Sequence, residues 1–318
     1  MPNLCSCDVS LQNTGSPSCS PVFGVTKQFI LVPLIANDGT YNKIDPAGTL
    51  DLAWITALIN QADDSKRFYP TGALKNVAGE RADPLYETFD DQSKEFIRPG
   101  VRTVTALILK KGPELLALLN SNRCSEFGIY IIDANGSVFG KTANDDGYLY
   151  PIQIEASTFY SKLVFTNDSA VQKLMLSFEW ENNQRDEDLR MILASSITGV
   201  NLAAVKGLMN VYVTVVSCGQ TSSVVKVFAK FGNIVTNYPV EGLVVADFVS
   251  SVTGATSKMR NTTTGADITL TTVTESTTVP GQYTLAYSSQ TLTNVVQPLI
   301  KKNGLDAATM LGTTGVVA

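Results

Sequence analysis

Residue types suited to catalysis are thinly represented in this chain. There is no histidine among its 318 residues. That removes Ser-His-Asp and Cys-His nucleophilic sites, most zinc sites and most imidazole general bases. Carboxylates remain, as Asp63-Asp64, Asp90-Asp91, Asp145-Asp146 and the run Asp186-Glu187-Asp188. Adjacent carboxylates on a strand point to opposite faces, and these lie in turn-rich sequence, so they read as solvated turn residues. Asp133-x-Asn135-Gly136-Ser137 opens like a calcium loop but lacks the acidic ligand that closes one. A β-hairpin explains the same residues. The five cysteines are Cys5, Cys7, Cys19, Cys124 and Cys218. Their odd number argues against a disulfide scaffold, and the first three read as reduced thiols in a small-residue arm. No P-loop, G-x-G-x-x-G, G-x-S-x-G or C-x-x-C occurs. The expectation is a non-enzyme without cofactor or metal.

Charge narrows the partners. The formal net charge is −5 and the pI about 4.9, whereas a dedicated nucleic-acid binder needs a basic face to release counterions. No apolar run reaches the length of a membrane helix, so no membrane anchor is expected. The start, MPNLCSCDVS, has neither the positive nor the apolar region of a secretory signal, which predicts synthesis and retention in a cytosol-like compartment.

The elements that position the remaining charges are mostly strands. The stretch from Arg67 to Lys110 reads as a strand over 67–75, a polar loop over Asn76–Pro84, a strand over Leu85–Phe89, a turn, and a long strand over Phe96–Leu109 bent at Pro99-Gly100. The loop carries Glu80, Arg81 and Asp83. Two helices are predicted. One covers Thr49–Gln61, with Thr49 or Asp51 as cap and a core-facing stripe of Leu50, Trp54, Ala57, Leu58 and Gln61. The other covers Pro113–Asn120, opened by proline and buried by its LLALL run. Asn135-Gly136 predicts a type I′ hairpin turn. Further strands are expected at Tyr150–Ala156, Phe159–Thr166 and Val171–Trp180. In the last, Leu174, Leu176, Phe178 and Trp180 alternate with largely polar residues, placing one face on a core.

Composition divides the chain into an arm over 1–21, a β domain over 22–195, a second β domain over 205–305 and a tail over 306–318. In the second domain six short strands separated by Gly- and Thr-rich turns predict an immunoglobulin-like β-sandwich. The fold class is thus mainly β with one or two short helices: an antiparallel sandwich or barrel followed by an Ig-like sandwich.

The run RFYPTGALKNVAGERADPLYETFDDQSKEFIRPGVRTVTAL, set in that organisation, resembles the tail-tube type of subunit of tailed bacteriophages, and in particular virion proteins of Bacteroides-group phages. GLVVADFVSSVTGA and PGQYTLAYS resemble the Ig-like decorating domains such proteins carry, in the patterns V-x-G-Leu-x-x-x-Asp-Phe and Pro-Gly-x-Tyr-Thr. The resemblance covers most of residues 22–305 and carries over no catalytic residue. It implies a virion structural protein, made in the host cytoplasm, that assembles with itself and other virion proteins into rings or a tube through which DNA passes. Arg81, Asp83 and Arg98 are then expected in intersubunit pairs, and the Asn76–Pro84 loop and the arm in contacts between stacked rings. A net-negative subunit would offer DNA an acidic, non-adhesive lumen. Two other classes remain open: a capsid decoration or head-tail connector protein, and a carbohydrate-binding adhesin. An adhesin would need an exposed aromatic platform. Of Tyr238, Tyr283 and Tyr287 in the second domain, the last two share a strand face as core residues would.

Overall fold

The computed structural model describes residues 22–142, 146–169, 171–229, 237–250, 256–301, 305–306 and 314–317. The arm with Cys5, Cys7 and Cys19, the Asn144-Asp145 part of one expected turn and most of the 306–318 tail lie outside them. The fold is mainly β with two helices and antiparallel sheets, one of them nearly closed like a barrel.

Strands β1 (Thr26–Pro33), β2 (Tyr69–Pro70), β3 (Leu74–Arg81), β4 (Leu85–Thr88), β5 (Lys94–Arg98) and β6 (Arg102–Leu109) come first. Then follow β7 (Phe127–Asp133), β8 (Val138–Lys141), β9 (Ile152–Val164), β10 (Lys173–Trp180) and β11 (Leu189–Ile192). Nine of these form one sheet in the order β11-β8-β7-β9-β10-β6-β3, with β1 on the other edge of β7 and β2 on β1. β4 and β5 pair only with each other.

Strands β1 and β7 explain the layering. Phe29 and Leu31 of β1, with Ile129 and Ile131 of β7, face the barrel interior beside Leu74, Val104, Phe159, Leu176 and Phe178. Ile30 and Val32, with Tyr130 and Ile132, face a second core closed by Ile55, Ile59, Phe68 and Leu202. Continuous apolar runs are what strands covered on both faces require. β10 has one buried face, and its Leu174, Leu176, Phe178 and Trp180 are buried as its alternation predicts.

Several expectations are corrected. The supposed Asn76–Pro84 loop is mostly strand β3, whose Ala78, Gly79, Glu80 and Arg81 pair with Thr105, Val104, Thr103 and Arg102. Its polarity reflects an open outer face, and Asn76, at φ 47°, takes up the register shift before Ala78. The helix α1 (Leu52–Ile59) is capped by Asp51, which accepts from the Trp54 amide. It buries Ile55 and Ile59, so the expected stripe is rotated: Trp54 and Leu58 flank the contact and Ala57 is exposed. The helix α2 (Pro113–Ser121) buries only Leu119. The Asn135-Gly136 turn is not type I′, because only Gly136 has positive φ. Instead the buried Asp133 carboxylate accepts from the amides of Asn135, Ser137 and Gly24. The two strands expected over 150–166 are one, β9, whose buried parity switches from Ile152 and Ile154 to Phe159 and Ser161 across a bulge.

Residues 194–208 pack on the first half: Ile197 and Leu202 join the second core, and Gln28 donates to the Val205 carbonyl. The remaining strands are β12 (Met209–Asn210), β13 (Tyr212–Cys218), β14 (Ser222–Ala229), β15 (Tyr238–Pro239), β16 (Phe248–Val249), β17 (Lys258–Asn261), β18 (Asp267–Glu275) and β19 (Gln282–Tyr287). The last four are β20 (Val295–Gln297), β21 (Leu299–Ile300), β22 (Leu305–Asp306) and β23 (Gly315–Val316). An eight-stranded sheet runs β13-β14-β19-β18-β17-β20-β23, with β15 on β14, while β12-β22 and β16-β21 are separate pairs. β18 pairs with β17 through its first half and with β19 through its second. The sheet bends there around one core containing Val225, Phe248, Met259, Tyr283 and Leu285. The strand expected over 243–249 is mostly a turn ending in β16. Tyr283 and Tyr287 are buried, as their shared face predicts. Tyr283 donates to the Val240 carbonyl and accepts from the Leu243 amide, fixing the corner before β16.

Candidate functional site

The candidate site is the β4–β5 hairpin, whose exposed side chains suit a contact surface. Every residue of both strands is exposed, and none belongs to a hydrophobic core among the described residues. Yet the hairpin and its turn carry Leu85, Tyr86, Phe89, Phe96 and Ile97, each 44–54% exposed. Tyr86 sits opposite Phe96, their rings edge-on at 5.9 Å. The next pair, Glu87 opposite Glu95, faces the other side and sets like charges together, which destabilises a sheet. An isolated two-stranded hairpin is marginal in water, and exposed apolar side chains grouped in one place mark a contact surface. The turn is well formed: the Phe89 and Gln92 amides donate to Ser93 and Phe89 carbonyls, Gln92 has φ 66°, and Asp91 accepts from the Ser93 amide and hydroxyl.

The base of the hairpin is rigidly held. The Ala82 amide donates to the Val101 carbonyl at 2.9 Å. Gly100 packs so close to the opposite chain that a Cβ there would lie 1.8 Å from the Ala82 carbonyl oxygen. Arg81 donates to the Gly100 carbonyl, the Gln184 carbonyl and both oxygens of Asp186. Arg102 donates to the Gly79 carbonyl and to Asp186, and its guanidinium lies 4.7 Å from the Trp180 ring centre. Burial alone would raise the Asp186 carboxyl, but hydrogen bonds from Arg81 and Arg102 outweigh it and hold the group below its ordinary value. An open groove of about 550 Å³, lined by Arg81, Phe96, Pro99 and residues 182–187, separates the hairpin root from that turn.

Of the three charges read from sequence, Arg81 is thus engaged within its own chain. Asp83 and Arg98 are exposed at the two hairpin roots and have no ion-pair partner among the described residues. Asp186, read as a solvated turn carboxylate, is the anchor between two arginines. Its role follows from the β3–β6 register and is invisible in the local sequence. The other acidic pairs behave as turn residues: Asp63 accepts from Ser65 and Asp146 from the Tyr148 amide. No cluster of metal-binding side chains occurs among the described residues, and no helix there is long and apolar enough to cross a membrane. Comparisons with protein-family models, with curated proteins and with solved structures give no match.

Proposed function

We propose that this chain is a structural subunit that assembles with copies of itself, of the tail-tube or tail-ring type found in bacteriophage virions. The observation that carries the reading is the β4–β5 hairpin: five exposed large apolar side chains on a two-stranded ribbon, held at its root by Arg81, Gly100 and Asp186. A rigid root and an unsatisfied tip suit an arm that finds its packing on a neighbour. On this reading the subunit resides in the virion tail, contacts other virion proteins, and surrounds a bore through which DNA passes without specific binding. Asp83 and Arg98, at the roots, are the charges left for intersubunit pairs.

The test is negative-stain electron microscopy with light scattering on the full chain, alone and with Pro84–Arg98 replaced by an Asn-Gly turn. The replacement leaves β3 and β6 intact, which a deletion within 77–82 would not. Rings or tubes of uniform bore from the natural chain, and a folded, non-assembling subunit from the shortened one, support the reading. A natural chain that stays monomeric at high concentration overturns it and favours a shell-bound or sugar-binding role.

A further inference from the structure

Cross-strand register gives the open outer face of β3, β6, β10 and β9 opposite charges at its two ends. Lys75, Leu107, Met175 and Lys162 form one row across the four strands. Beyond it, Leu109 pairs with Lys173, and Lys110 and Lys111 follow, tied to Gln172 through the Lys110 amide and the Lys111 carbonyl. Among the described residues none of these five lysines has an ion-pair partner. Glu114 and Asp168 offset only part of their charge. The same end exposes Phe165 (75%), Val171 and Leu118. At the other end Glu80, Thr103, Glu179 and Glu155 form a row, with Glu179 directly opposite Glu155. The hairpin grows from that end, since it precedes the first residue of β6 while Lys110 and Lys111 follow its last. It adds Asp83, Glu87, Asp90, Asp91 and Glu95 against Lys94 and Arg98.

Glu179 directly opposite Glu155 sets like charges together, which destabilises a sheet, and among the described residues neither the three row glutamates nor the five lysines have an ion-pair partner. One end is acidic and carries an exposed aromatic pair. The other is basic and carries exposed apolar side chains. We propose that copies of this chain stack head to tail, the hairpin of one seated on the lysine-rimmed end of the next. This rests on the reading of self-assembly above and adds its polarity. Such a contact is heterologous and propagates along an axis, and its complementary potentials set the partner's orientation.

The experiment uses two charge-reversed full-length chains, Lys111→Glu/Lys162→Glu and Glu87→Lys/Glu95→Lys, all at exposed positions. Light scattering and electron microscopy follow assembly, with circular dichroism to confirm folding. In each variant alone the reversed side chains meet like charges on the opposing end, so its critical concentration is expected to rise at least about tenfold over the natural chain. Mixed in equal amounts they are expected to co-assemble, each supplying the charge the other needs, and the chain carrying all four reversals to assemble alone. Raising salt to about 1 M should weaken assembly of the natural chain, since screening shortens to about 3 Å. A natural chain that does not assemble sinks the self-assembly reading itself. If the natural chain assembles, then variants that assemble equally well, or folded variants that stay inert when mixed, overturn the head-to-tail contact alone.

Discussion

Arg81 and Arg102 face each other across the β3–β6 ladder and share one carboxylate, that of Asp186, with bonds of 3.0 and 2.8 Å. Two guanidinium groups directly opposite would repel, and the third residue converts that repulsion into a clamp on the hairpin root. Replacing Asp186 by Asn should therefore loosen the root without disturbing the barrel. Asp186 is 43% exposed, so solvent screening limits the loss to on the order of 1 kcal/mol. Thermal unfolding should register a drop of about 2–4 °C. The folded carboxyl lies below its ordinary value of 3.8, so its contribution is complete above that pH and disappears as pH falls through the lowered folded value. The gap in stability between natural and Asp186→Asn chains should accordingly close in acid. A gap that is unchanged or widens there would contradict the clamp.

Two phenylalanines separate fold from function. Phe178 is 1% exposed and packs between Phe29 and Phe159 in the barrel. Its change to alanine should cost about 3–5 kcal/mol. Phe96 is 54% exposed, and the same change there should alter denaturant stability by less than about 0.5 kcal/mol while reducing assembly. Equal losses of stability at the two positions would mean that the hairpin is packed against its own subunit.

Gly100 has no room for a side chain. Alanine there drives a Cβ into the backbone of Ala82, which cannot swing aside as a flexible side chain would. Overpacking of this kind costs about 1–3 kcal/mol. Hydrogen exchange should show the amides of 82 and 85–98 losing protection while β7, β9 and β10 keep theirs. Uniform protection across all of them would show that the root tolerates a wider spacing.

The second β region carries an alkaline signature. Burial pushes the Tyr283 phenol up to about 12, with the Leu243 amide it accepts pulling the other way and Glu275 adding to the rise. A raised folded pKa contributes stability below the ordinary value of 10.0 and loses it as pH climbs toward about 12. Denaturant midpoints should fall over that window, and Tyr283→Phe should flatten the fall at a cost of about 1 kcal/mol for the lost bond to the Val240 carbonyl. An identical fall in the variant would assign the effect to another group.

The fold class is readable because its main strands obey strict rules. The period-two alternation of Leu174 to Trp180 and the unbroken apolar runs of β1 and β7 each follow from how many faces a strand buries. β3 escaped because a strand with one open, charged face reads locally as KNVAGER, a polar loop. The rotation of α1 escaped because Ile55 and Ile59 fit a helical stripe as well as Trp54 and Leu58 do. Only the sheet beneath decides between them. The hairpin is visible as two strands around a turn, but its isolation is not, since exposure belongs to the assembled barrel. Asp186 and its two arginines are separated by 84 or more positions, and no local pattern joins them.

The separateness of the hairpin has a consequence over evolutionary time. Residues 85–98 contribute nothing to any core of the described chain, so mutations there escape the folding constraint that fixes β7 or β10. The tip is free to drift at the pace of whatever it touches. If the proposed self-assembly holds, two lineages carrying the same barrel can thereby come to exclude each other's subunits from a mixed assembly, with the hairpin and its receiving end as the recognition code.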